Sequence, residues 1–130
     1  MESFYVECEQ KLNENSIIHE NGEYIIWKGC VNAQGYGQFR YKDPVASSTA
    51  EHKTRTAHRV ALMAKLKNFS ISARYHASHL CNNKLCVNTD HLVFETSHNN
   101  CLRRTCFRVG KCNGYSDQEG KRTAGCLVDL

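Results

Sequence analysis

Residues 76–100, HASHLCNNKLCVNTDHLVFETSHNN, gather four of the chain's seven histidines and two of its eight cysteines, with five asparagines among them. Metal-binding and proton-carrying side chains are thus concentrated where the backbone has few apolar residues to bury. ISARYHASHL (71–80) and HLVFET (91–96) read as extended, and residues 81–90 as a polar loop between them. SHNNCLRRTC (97–106) reads as a helix capped by Ser97. The order is therefore strand, long loop, strand, helix.

A ten-residue polar loop loses conformational entropy on ordering with little burial to offset it, so it needs a cross-link. Cys81 and Cys86 are separated by four residues, and His91 follows after four more. Three such ligands can close on one Zn²⁺, whose tetrahedral preference calls for a fourth, and Cys30 is the best remaining donor. The competing reading is a Cys81–Cys86 disulfide with an unrelated His91. The chain's start, MESFYVECEQKLNEN, carries early acids rather than a basic segment followed by an apolar run, so it does not read as a signal peptide. No segment approaches the roughly 18 consecutive apolar residues of a membrane span. The expectation is an intracellular protein with mostly reduced thiols, nuclear if eukaryotic and otherwise cytoplasmic.

The 130 residues suit one domain. A helix is expected through SFYVECEQKL (3–12). EYIIWKGCV (23–31), NAQGYG (32–37) and YGQFRYK (36–42) read as strand, turn and returning strand, that is, a hairpin. DPVASSTAEHK (43–53) is a polar connector. TRTAHRVALMAKLKN (54–68) begins with a Thr cap and places Ala57, Val60, Ala61 and Ala64 on one helical stripe. The fold class is α+β, a small zinc-stabilised domain of antiparallel hairpins and a ββα unit. Its hairpin and helix fall at about 20–68, its finger at about 73–108 and a Cys-rich tail at about 101–130. The formal charge of +4 is uneven. Residues 53–74 hold six Lys or Arg and no acid, and residues 103–122 hold six bases and two acids. Two basic segments flanking the histidine cluster suit a phosphate backbone, or else form a solvated surface.

His79 closes the first strand of the finger and Asn100 lies on the helix after the second. If the strands pair around the loop, the helix can return Asn100 to the neighbourhood of His79. Phosphodiester hydrolysis needs a base for water and a hard cation for the phosphate oxygens. A neutral imidazole, with a pKa of about 6.5, suits the first task, and an amide oxygen suits Mg²⁺. The bland alternative is a core histidine bonded to backbone.

SHLCNNKLCVNTDHLVFETSHNN closely resembles the His-Cys box of homing endonucleases, a branch of the His-Me finger (ββα-metal) nucleases. Ser-His-Leu-Cys, four residues, Cys, four residues, His-Leu, seven residues and Asn are all filled. The resemblance implies that His79 is the general base, that Asn100 is the Mg²⁺ ligand, and that Cys30, Cys81, Cys86 and His91 form the first structural zinc site. It also implies a second zinc, for which the chain offers Cys101, Cys106, Cys112 and Cys126, with His98 as a substitute for Cys126. An arginine against the scissile phosphate is expected: Arg40 is the candidate, with Arg55 behind it. The implied activity is Mg²⁺-dependent cleavage of double-stranded DNA to 5′-phosphate and 3′-hydroxyl ends by a homodimer, to which the C-terminal CLVDL (126–130) could contribute. A non-catalytic zinc-stabilised DNA-binding domain on the same scaffold is the alternative, and a disulfide-rich extracellular protein is a third reading.

Overall fold

The computed structural model describes residues 2–20, 22–42, 52–112, 114–116, 122–123 and 125–127. Most of the polar connector (43–51) and the end of CLVDL (128–130) lie outside them. The described elements are α1 (Glu2–Glu14), β1 (Ser16–Ile18), β2 (Ile25–Trp27), β3 (Gln38–Lys42), β4 (His52–Thr56), α2 (Ala57–Leu66), β5 (Tyr75–His79), a 3-10 turn (Thr89–His91), β6 (Leu92–Thr96), α3 (Ser97–Val109), β7 (Tyr115–Ser116) and β8 (Arg122–Thr123). The strands form four antiparallel pairs, so the class is α+β, as expected. No described helix is long and apolar enough to cross a membrane.

The finger is the part closest to its sequence reading. β5 and β6 pair from Tyr75↔Thr96 to His79↔Leu92, and Leu80 N–H extends the ladder to His91 C=O at 2.7 Å. α3 follows without a break. Its cap is Thr96 rather than Ser97: Thr96 is extended and its hydroxyl accepts from Asn99 N–H. The loop between the strands owes its shape partly to its asparagines. Asn83 Oδ1 accepts from Leu85 N–H at 3.1 Å, Asn88 Oδ1 accepts from Asp90 N–H at 3.0 Å, and Asn82 has a left-handed φ of 59°. Short amides bonded two residues on are turn formers, and Asn tolerates positive φ.

The expected hairpin of 23–31 with 36–42 does not form. β2 pairs with β1, Ser16↔Trp27 to Ile18↔Ile25, and β3 pairs with β4, Gln38↔Thr56 to Lys42↔His52. Between them only the turn survives, where Asn32 Oδ1 accepts from Gln34 and Tyr36 N–H and a single bridge joins Val31 to Gly37. The reason is that the other edge of β2 is occupied by the loop between β5 and β6. Trp27 N–H donates to Leu85 C=O at 2.8 Å, Val87 N–H donates to Ile25 C=O at 2.7 Å, and Ile26 bridges Cys86.

α2 is the centre of the core, with Ala57, Val60, Ala61, Leu62, Met63 and Ala64 all buried against Cys8 and Leu12 of α1 and Phe39 and Tyr41 of β3. Thr56 precedes it in extended conformation but gives no side-chain cap. Gly37 C=O instead accepts from Ala57 N–H at 2.8 Å, so the turn before β3 caps the helix. Trp27, 3% exposed, lies beneath that turn. A Cβ at Gly37 or Gly29 would come within 2.4 Å of its ring, so both positions require a residue without one. Gly37→Ala is expected to lower stability by about 1–3 kcal/mol through overpacking on Trp27; equal denaturant midpoints for variant and wild type would show that the ring yields freely.

Candidate functional site

β5, the loop that follows it and the 3-10 turn bring Cys81, Cys86 and His91 together. All three are buried, and their ligand atoms lie within 4.8 Å of one another. Cys86 is fixed by its bridge to Ile26, and His91 by its N–H to Asn88 C=O. His91 Nδ1 is 3.6 Å from Cys86 Sγ, while its Nε2 faces Glu23 Oε2 at 3.4 Å. A carboxylate can only accept, so Nε2 carries the hydrogen and Nδ1 presents its lone pair to the sulfurs. The Cys81 thiol donates to Cys86, holding Cys86 below the ordinary thiol range and raising its partner. Two sulfurs and an imidazole nitrogen suit zinc, which keeps one more tetrahedral position. Cys30 is exposed and stands outside this group, its carbonyl taken by Trp27 Nε1–H at 2.9 Å and Gln38 N–H at 2.7 Å.

A second group unites Cys106 of α3 with Cys112 and Cys126, again within 4.8 Å. Burial works against the Cys112 thiolate, yet N–H groups of Cys126 (3.3 Å) and Gly114 (3.4 Å) donating to its sulfur hold its pKa down to about 7. An all-sulfur donor set is also suited to structural zinc. Cys101 and His98 are exposed and lie outside the group. Helical geometry explains both: Cys101 is turned by about 140° from Cys106, and His98 is about 12 Å away along the axis. Arg103, 2% exposed, ties this region to the finger. Its guanidinium meets both oxygens of Glu95 at 2.6 Å and donates to Cys126 Sγ at 3.4 Å. Leu127 N–H returns to Leu80 C=O at 2.7 Å.

His79 and Asn100 line one cleft of about 960 Å³, bordered by Lys53, Arg55, Arg59, Lys84 and Arg104. Alternate strand residues face opposite ways, so His79 turns towards α2, while His76 and Ser78 turn towards α3. His79 Nε2 lies 3.0 Å from Cys86 C=O, and a carbonyl can only accept, which leaves the lone pair on Nδ1. Its ring stacks on Tyr36 (6.1 Å, 14°) and lies 4.1 Å from the ring of His58. Burial pushes the His79 pKa down to about 4, so the ring is neutral near pH 7. Asn100 Oδ1 accepts from Ser78 Oγ–H at 2.8 Å, and Asn100 Nδ2 lies 3.4 Å from His76 Nδ1.

Arg40 is elsewhere. It borders a separate hollow with Phe4, Lys11 and Phe39, and it is Arg55, on the paired strand β4, that lines the cleft. His58 is the site residue that the sequence reading missed. It is 6% exposed, its Nε2 lies 2.9 Å from Ala77 C=O, and burial drives its pKa to about 3. Its only sequence signal is a histidine within an apolar helical stripe.

A family model described as the zinc-binding loop region of homing endonuclease matches residues 27–130. The chain belongs to this family. No curated protein and no solved structure matches it. The matched span contains both metal-suited groups, the cleft and the connecting Arg103–Glu95 pair.

Chelation of zinc is expected to lower the melting temperature in step with lost metal content; a chelated sample with an unchanged melt would exclude a structural role. Glu95→Ala leaves the buried Arg103 charge without its carboxylate and should cost about 3–5 kcal/mol, whereas Glu95→Leu with Arg103→Met should recover much of it. A double variant no better than Glu95→Ala in chemical denaturation would count against charge burial as the cause.

Proposed function

We propose that this homing-endonuclease family member hydrolyses phosphodiester bonds of double-stranded DNA, with His79 as general base and one Mg²⁺ held through Asn100, leaving 5′-phosphate and 3′-hydroxyl ends. One observation carries the reading: the Nε2 of His79 is committed to Cys86 C=O, so the Nδ1 lone pair is available in a basic cleft shared with Asn100. A neutral, sterically clamped imidazole takes a proton from water without first having to lose its own. Lys53, Arg59 and Arg104 offer charge to the sugar-phosphate backbone. Arg55 is assigned to the scissile phosphate in preference to Arg40, because Arg55 borders the same cleft.

The oxygen donors fit a hard divalent ion that is completed by substrate. Asn100 Oδ1 accepts one hydrogen bond and keeps a second lone pair. No Asp or Glu is among the described residues lining the cleft, so a bound ion would depend on phosphate and water oxygens beside Asn100. When bound, Mg²⁺ neutralises charge developing on the phosphate and the departing 3′ oxygen. Two cuts in one duplex call for two such clefts, and a homodimer in a reducing, intracellular setting is part of the proposal.

Plasmid cleavage with Mg²⁺ tests the reading. His79→Ala is expected to lose about 10²–10⁴-fold in rate, and Arg55→Ala about 10²-fold. Asn100→Ala should also lose most activity, Arg40→Ala should stay near wild type, and all four should keep wild-type zinc. Wild-type cleavage by His79→Ala would eliminate the mechanism, and DNA binding without cleavage by the wild-type protein would favour a binding domain.

A further inference from the structure

His91 differs from the two cysteines beside it in having two nitrogens, of which one carries a hydrogen when the ring is neutral. Its Nδ1 lies 3.6 Å from Cys86 Sγ, and its Nε2, on the far side of the ring, lies 3.4 Å from Glu23 Oε2. The His91 side chain is 3% exposed, so an N–H on its outer edge needs an acceptor from the protein. The Glu23 side chain, 52% exposed, supplies that acceptor without filling any part of the core.

The docking of β2 on the loop after β5 brings the acid there. Leu85 and Val87 bond Trp27 and Ile25, which aligns the residues just before β2 with the 3-10 turn. Asn88 then holds both partners: its Nδ2–H donates to Glu23 C=O at 2.7 Å, and its C=O accepts from His91 N–H at 2.9 Å. Tyr24 sets its ring at right angles to that of His91, with centroids 5.7 Å apart.

We propose that Glu23 is a positioning residue for the Cys81, Cys86 and His91 group: by accepting from His91 Nε2–H it holds the imidazole with Nδ1 towards the two sulfurs, and so strengthens zinc binding there. This rests on the zinc reading of that group and is independent of DNA cleavage. The hydrogen bond made by one ring nitrogen decides which nitrogen is left for a metal. Outer partners of this kind commonly affect metal affinity by about 10–100-fold. Cys106, Cys112 and Cys126 form a group without a histidine, so the effect is confined to the first group.

The test is zinc competition against a chelator of known affinity with wild type, Glu23→Leu and Glu23→Gln, paired with long-range ¹H–¹⁵N NMR spectra of the histidine rings. Glu23→Leu is expected to hold the first zinc about 10-fold less tightly, with the second held as in wild type. Glu23→Gln keeps an acceptor oxygen and should recover most of the affinity. The zinc-loaded wild type should show His91 with metal on Nδ1 and hydrogen on Nε2. Unchanged affinity in Glu23→Leu, or Glu23→Gln binding no more tightly than Glu23→Leu, would overturn the positioning role and leave the zinc reading standing. Metal on Nε2 of wild-type His91, or equal weakening of both zincs in Glu23→Leu, would do the same. A wild-type His91 ring with no metal-bound nitrogen would overturn both.

Discussion

The peptide at Cys86 is engaged on every side, and the working geometry of the protein depends on it. Its sulfur faces Cys81 and His91, its backbone bridges Ile26, and its carbonyl lies 3.0 Å from the Nε2 of His79. The metal-suited group therefore does more than close a loop. By holding Cys86 it fixes the acceptor that chooses the tautomer of His79, and with it the nitrogen that keeps its lone pair. A structural centre and a proposed catalytic base are joined through a single residue.

That linkage also explains the division of labour around β5. A two-residue period sends His79 to one side, where Tyr36 and His58 enclose its ring, and Ser78 to the other, where α3 brings Asn100. An edge strand between two helices can thus supply both sides of one cleft. α3 is held in turn by the buried Arg103–Glu95 pair and by Cys106, whose partners Cys112 and Cys126 draw the C-terminal residues back to the finger. Each of these contacts replaces apolar core that so small a domain cannot otherwise provide.

Much of the finger could be read directly from the chain. Its two short strands read as extended, its helix begins beside a Thr and Ser, and its turn-forming asparagines mark the loop. These features are local, and local sequence is sufficient to set them. Ligand sets are less accessible. Cys81, Cys86 and His91 lie within eleven positions of one another and do come together, whereas Cys30, the fourth ligand that the resemblance implies, and Cys101 stand outside the two groups. For Cys101 the helical period already forbids sharing a face with Cys106.

Strand partnership lay beyond local reading. Residues 23–42 have the strand-like runs and turn of a hairpin, yet β2 bonds β1 on one edge and the loop after β5 on the other, and β3 bonds β4. An unpaired strand edge accepts any compatible backbone, and at β2 Leu85, Cys86 and Val87 take the edge that a returning strand would need. The same reordering brings Arg55 to the cleft and leaves Arg40 outside it. The sequence by itself determined the ββα order, the donor types and the identity of His79 and Asn100 as a pair worth joining, because spacing and residue chemistry are properties of the chain. Which strands pair, which arginine reaches the cleft and which nitrogen of His79 stays open are decided by the tertiary structure, because each depends on backbone groups remote in sequence competing for the same hydrogen bonds.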